Sequence, residues 1–475
     1  MKRTLRNLYC IVLTLMLVIT MTACGTSDNT NSQPVQQDTR SNANSSEPAT
    51  ITIWTLNRHD ADYMNSVIQK INEEYDDINV EYKIYTENFE QAVEIAFATN
   101  EAPDILFDGG SIYSKFVGQG KFEPLDDYLT DEMKAHFGEE NFLEGINMYN
   151  GKIYSLPAIG TTARLIYNKG IFERAGITEV PKTVDEMADT AIIISQKLKD
   201  EGIYGFAQNL KSPSGGLNRS VDFILMRSGG NYRGYDFTTG RYDFMPYKPI
   251  LQAYQRMFTS GGAFPGCESL DIDPLRSQFA NGKIGMYISW THSEPGVYES
   301  QFPTTENWDV AQLPTIDGTV KGSQHMLLAG RWFLMNANSK NKDKAWTVMT
   351  VLYSDEVLKG YHENGLGNVT VKSVLDQITK QPDTIAKRPN LAFTDDDKLW
   401  PAAPSDLTSI VPEGKAMYDV FAELIFGVET DFDKALQDLT ERYNKALDNA
   451  IADGLVKEIK YPNFNPKNPA AVFGK

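Results

Sequence analysis

Apolar and polar residues alternate along "ATITIWT" (49–55), and then the rhythm changes: Met64, Val67, Ile68 and Ile71 recur at the spacing of one helical face. The exchange repeats. "INVEYKIYT" has the period of a strand, "FEQAVEIAFATN" that of a helix, and "APDILFDGG" reads as a short buried strand. Strands alternating with helices predict a mostly parallel sheet covered on both faces. Such sheets bind ligands beyond the carboxyl ends of their strands. The loops "NRHD" (57–60) and "DGGS" (108–111) therefore fall on one rim.

The pattern continues through "GKIYSLP" and "ARLIYNKGIF", two strands joined by "AIGTT". Helical periodicity follows over about 183–200, about 219–229 and about 247–260, with a hairpin "RGYDFTTGRYDF" turning near Thr239-Gly240. "DPLRSQFANG" predicts a helix with Asp273 as its cap and Pro274 in its first turn. A strand then runs through "KIGMYIS" to Trp290, and "WDVAQLP" and "LLAGRWFLMNAN" also have strand character. From Lys342 helices dominate, including the amphipathic stretch 433–452. No internal repeat is visible.

Length and charge narrow the function. A chain of 475 residues holds two or three domains. A net charge of −18 argues against nucleic acid, whose phosphates need a basic face, and against broad adhesion to anionic lipid. The N-terminus reads as a targeting signal: Lys2, Arg3 and Arg6 precede a weakly polar run, Leu8 to Ala23, too short for a comfortable membrane span. It ends in "MTAC", which resembles the lipobox of bacterial lipoproteins, although Met21 replaces the usual Leu. That resemblance implies cleavage after residue 23 and an acylated Cys24; an uncleaved anchor or a simple secretory signal are the alternatives. The following stretch to residue 48 is almost free of large apolar residues and reads as a flexible leash. With Cys10 removed and Cys24 lipidated, Cys267 is alone, a packing residue with no disulfide partner.

Several segments, in their order, resemble a known family: "ITIWT", "APDILF", "GKIYSLP" leading into "LIYNKGIFERAG", "PKTVDEM", "FANGKIGMYISW" and "SKNKDKAWTVMTVL". Together they are similar to the extracellular solute-binding proteins of ATP-driven (ABC) importers, in particular the carbohydrate-binding, maltose-binding-protein-like group. The resemblance spans about Ala49 to Gly454. It implies an α/β, two-lobed periplasmic-binding-protein-like fold with a hinge and an interlobe cleft. The N-terminal lobe is expected from 49–157 and 314–341, and the C-terminal lobe from 158–313 and 342–475, with crossings near Pro157–Thr162, Leu313–Thr315 and Ser339–Trp346. It also implies a sugar or oligosaccharide ligand, a membrane permease as partner, no cofactor and no metal, and a monomer on the outer face of the cell membrane.

Sugars offer an apolar face and a rim of hydroxyls, so aromatic rings and a few fixed polar groups should hold them. Trp290, at the end of a strand and matching a position where the family often stacks an aromatic, is the leading candidate against the alternative of a core residue. Asn57, Arg58 and His59 follow the first strand, and Asp108 and Ser111 the third; Tyr154 leads to the hinge and Thr161, Thr162 and Arg164 follow it. Arg331 and Trp332 break an apolar run where a strand returns to the cleft, and Trp400 is a further candidate. In "NLKSPSGGLNRS", Asn209, Asn218 and Arg219 are weighed against a surface loop, which is preferred. Convergence of Arg58, Arg164 and Arg331 would suit an acidic sugar such as a uronate.

Rival chemistry is weak. The chain has no His-Glu-x-x-His, Gly-x-Ser-x-Gly, Cys-x-x-Cys or P-loop motif. "TDDDK" (394–398) reads as a solvated loop or cap in preference to a cation site. The expectation is a binder and not an enzyme; a surface glycosidase or lyase, or a ligand-binding partner of a sensor kinase, are the alternatives.

Overall fold

The opening alternation buries Ile51, Ile53 and Thr55 and forms strand β1 (Ala49–Thr55). It belongs to a computed structural model that describes residues 47–85, 88–109, 112–327, 331–407 and 410–474. The expected signal segment 1–23, Cys24, nearly all of the leash 24–48, and Ser111 lie outside the described residues. The remaining main strands are β2 (Ile78–Ile84), β3 (Ile105–Phe107), β4 (Ala163–Asn168), β5 (Tyr204–Phe206), β6 (Ile284–Trp290), β7 (Trp308–Ala311) and β8 (Phe333–Met335).

These strands make two four-stranded sheets. The first has the order β8-β3-β1-β2, with β1 parallel to both β2 and β3 and β8 antiparallel at the edge. Helix Ala61–Glu74 covers it, burying Met64, Val67, Ile68 and Ile71, the face that the periodicity predicts. The second has the order β7-β4-β6-β5, in which β4 runs antiparallel to both its neighbours and β6 pairs parallel with β5. Helix Val184–Leu198 packs on this sheet behind a capping box, Thr183 with Glu186. Each sheet has its own core, so each is the centre of a lobe.

The path between lobes differs from the expected one. Ala345, Val348, Met349 and Leu352 of helix Lys342–Leu352 lie in the first core, as do Tyr361, Val369 and Val374. The chain enters the second lobe's core again only at Ile385 and Leu391. Residues 342–374 thus belong with the first lobe, where assignment of all of 342–475 to the second was expected. The reason is simple: an amphipathic helix shows an apolar face in its sequence, but nothing about which core that face will meet. The second crossing is also later than expected. Thr315 is still tied to the second lobe through Val184, and the passage occurs where Leu327 pairs with Thr161.

Local predictions fare better. The hairpin forms between Tyr235–Asp236 and Arg241–Tyr242, and helix Phe432–Ala452 buries one face. "GKIYSLP" contributes only the two-residue strand Lys152–Ile153. In helix Ile272–Ala280 the cap position is Asp271; Asp273 sits in the first turn, and its carboxylate faces Arg58 and Arg276.

Candidate ligand-binding cleft

The carboxyl ends of β1 and β3, the end of β6 and the start of β4 bring the candidate loops to the junction between the lobes. On the first lobe, Asp108 follows β3; its main-chain N–H donates to the Trp332 carbonyl at 2.9 Å. One carboxylate oxygen accepts from Arg331 Nε at 2.5 Å, and Arg331 also lies over the Tyr113 ring, 4.4 Å from its centre. The other Asp108 oxygen and the Tyr113 hydroxyl are buried with no partner among the described residues. Buried polar atoms without partners are uncommon and call for an explanation. Arg331 reaches electrostatically across the seam, acting on Asp406 and on Tyr232 of the second lobe.

On the second lobe, Trp290 ends β6 opposite Ala163 and is partly exposed. Its ring meets Phe223 nearly edge-on, 5.5 Å between centres at 74°, which leaves the indole supported from one side. Next to it, His292 Nδ1 and the Thr161 hydroxyl are 2.7 Å apart, Thr161 and Thr291 hydroxyls 3.3 Å apart, and the Thr162 N–H donates to Thr291 Oγ1. Thr162 Oγ1 accepts from Gln324 Nε2 at 3.2 Å, while Gln324 Oε1 has no partner among the described residues. Arg219 donates through Nε to the Ile288 carbonyl at 3.0 Å and also bonds Asn209; Asn218 Oδ1 is buried and has no partner among the described residues. This segment is not the surface loop that its Gly and Ser content predicts. It carries the short helix Pro213–Leu217, and both Asn209 and Arg219 are buried.

Three candidates are sealed within a lobe. Arg164 is fully buried, and all five of its N–H donors are spent: Nε on Asn390 O, one nitrogen on Ala163 O and Asp397, the other on Ala392 O and Asp397. "TDDDK" therefore supplies a buried counter-ion, Asp397, and is not simply a solvated loop. Trp332 is 1% exposed, packed in the first core against Phe333, Tyr353 and Tyr361. It is a core residue, positioned by its sequence next to a rim but turned away from it. Trp400 is likewise buried, its indole N–H donating to Ser323 Oγ at 3.1 Å. Tyr154 is buried beside Tyr113 in the first lobe, and Asn57 turns back onto its own loop toward Asp60.

Arg58 and His59 take a different place. Arg58 is paired with Asp273 of the second lobe, and the His59 ring stands 4.9 Å from that of His292. The three arginines do not form one cluster, because each faces a carboxylate: Arg58 with Asp273, Arg164 with Asp397, Arg331 with Asp108. Tyr113, Thr291 and His292 were missed as site residues. Only their nearness to strand ends could have marked them, a signal shared by many residues that end in cores.

Burial strongly sets the titration here. It pulls His59 below its ordinary range against the opposing charge of Asp60. For His292, burial, His59 and the cations Arg276 and Arg219 all act downward. Beneath the rim, burial pushes Glu294 up, but Arg276 at 2.7 Å outweighs it and holds the carboxylate ionised. A cavity of about 380 Å³ exists in the first lobe between Met133, Phe137, Leu156 and Tyr353, but none of the rim residues above lines it.

Comparison with known proteins agrees with this architecture. The profile of the bacterial extracellular solute-binding protein family matches residues 57–359. A putative binding protein of Brucella abortus (strain 2308) is 29% identical over 275 residues, 57% of this chain and 62% of its own length, so this chain spans about three fifths of that relative. The sn-glycerol-3-phosphate-binding periplasmic protein UgpB of Shigella flexneri serotype 5b (strain 8401) is 30% identical over 411 residues, covering 81% of this chain and 89% of that one. A solved structure from work on xylan utilization by the thermophilic bacterium Caldanaerobius polysaccharolyticus superposes with a TM-score of 0.68 at 24% identity, covering 83% of this chain and 99% of its own. Two lobes around one cleft, the family match over most of the folded chain and this shared fold lead to one conclusion: the chain belongs to the bacterial extracellular solute-binding proteins.

Proposed function

We propose that this protein captures a sugar or oligosaccharide in the cleft between its lobes and delivers it to the membrane permease of an ABC importer. In this reading it is a monomer without catalytic activity, held at the outer face of the cell membrane by lipid on Cys24. The observation that carries the reading is Trp290: a partly exposed indole at the interlobe rim, backed by Phe223 and flanked by Thr161, Thr291 and His292. An apolar plate beside a few fixed polar groups suits a saccharide's two kinds of surface. The unpartnered Asp108 and Tyr113 oxygens on the opposite lobe would take hydroxyl groups. A neutral sugar is favoured over an acidic one, because Arg58, Arg164 and Arg331 already face carboxylates.

A thermal-shift screen tests this, with neutral oligosaccharides, uronate-bearing ones and sn-glycerol 3-phosphate as separate arms. A ligand at a hundred times its Kd stabilises the folded state by about 2.7 kcal/mol. The expected result is stabilisation by a neutral saccharide, which is recovered unchanged. Trp290→Ala should weaken that binding by at least about tenfold, as loss of a central aromatic anchor does. Stabilisation by the phosphate ester alone would replace the ligand class, and consumption of the sugar would make the protein an enzyme.

A further inference from the structure

Arg58 and His59 occupy the first-lobe loop where ligand contacts were expected, yet Arg58 pairs with Asp273 of the second lobe. His59, held within the first lobe by Leu366 O and the Tyr361 hydroxyl, faces the His292 ring across the seam. Arg58 presents both terminal nitrogens to Asp273, one of them at 3.1 Å, in the fork-to-carboxylate geometry that gives such pairs direction. Asp273 is not loose: Arg276, one helical turn on, donates to it at 3.3 Å and is itself anchored on buried Glu294. The second-lobe end is thus rigid, and Arg58 is the arm that reaches it. His59 and His292 meet beside this pair, and the His59 carbonyl is so near Gly296 that a Cβ there would lie 3.0 Å from it. The space left along the seam, between Thr291, Pro295, Gly365 and Asn368, is about 10 Å³, room for at most one water.

We infer that the Arg58–Asp273 pair is an interlobe clasp that biases the lobes toward the closed arrangement before any ligand binds. Both side chains keep somewhat more than a quarter of their surface exposed, 27% and 29%, so the clasp is weak and open to salt. A weak clasp suits a hinge that must reopen. It shifts the closed population a few-fold, so release is not blocked, and it raises apparent affinity by the same factor.

The test is amide hydrogen exchange on the full-length, ligand-free chain, which does not depend on the ligand's identity and so can fail separately from the proposed function. Arg58→Ala, Asp273→Ala and the double variant are each expected to raise exchange about two- to fivefold, in peptides from both sides of the seam, residues 57–64 and 290–302. The double variant should equal Asp273→Ala alone, since with Asp273 gone Arg58 has no clasp left to lose. Raising NaCl to 0.5 M should reproduce the effect in the parent and add nothing to the double variant. Faster exchange confined to the mutated lobe, additive effects of the two substitutions, or a parent indifferent to salt would each overturn the clasp.

Discussion

Arg164 spends every donor it has on Asp397, Asn390, Ala392 and Ala163, inside the second lobe. Removing it leaves Asp397 buried without its counter-charge, a change that costs about 3–5 kcal/mol. Arg164→Ala should therefore lower the urea midpoint strongly, and equilibrium unfolding measures it. At this scale the sequence is ambiguous for a physical reason. Strand alternation separates Ala163 and Leu165, in one core, from Arg164 and Ile166 on the opposite face. It does not say which face meets the cleft. Trp290 and Trp332 show the same limit: both are indoles near strand ends, but one is partly exposed at the seam and the other is sealed.

At the scale of elements, packing distance is the controlling quantity. Helix Val184–Leu198 lies so close to β5 that a Cβ at Gly205 would come within 2.1 Å of the Ala191 carbonyl oxygen. Main chain cannot yield as a flexible side chain can, and overpacking a tight contact typically costs about 1–3 kcal/mol or more. Gly205→Ala is expected to destabilise the second lobe by at least that much, read as a lowered midpoint in denaturant. The helix itself was legible from its periodicity and from Thr183 and Glu186 at capping-box spacing. Its closeness to the strand was not, since Gly205 looks like any strand glycine. Helix Lys342–Leu352 was equally legible as a helix, but its place in the first core was not.

For the whole molecule, buried histidines make stability depend on pH. Burial lowers His59, His292 and His325 from 6.5, and His325 to about 3. A group whose folded value is depressed binds more protons when unfolded, so stability is lost as pH falls below about 6.5, by up to about 1.4 kcal/mol per pH unit for each such group. Burial acts oppositely on Asp222, raising it from 3.8 to about 6 against the hydrogen bonds from Tyr247 and Tyr418. Its protonation below about pH 6 then offsets one histidine. The melting temperature should fall between pH 7 and pH 5, with most of the loss below about pH 6.5, and His325→Gln should flatten the fall. A melting temperature constant across that window would contradict this account.

By itself the sequence determined most of the elements and their inward faces, the two α/β lobes through their resemblance to the family, and the loops that follow the strand ends. Those properties depend on neighbours three or four residues apart, or on alternation along a strand. The tertiary structure alone decided that Arg164 belongs to Asp397, 233 positions away, and that Arg58 belongs to Asp273, 215 positions away. It also decided that the helix after residue 341 returns to the first core. Local pattern records how strongly a residue avoids or seeks water; the partner it finds there is chosen by the folding of distant chain.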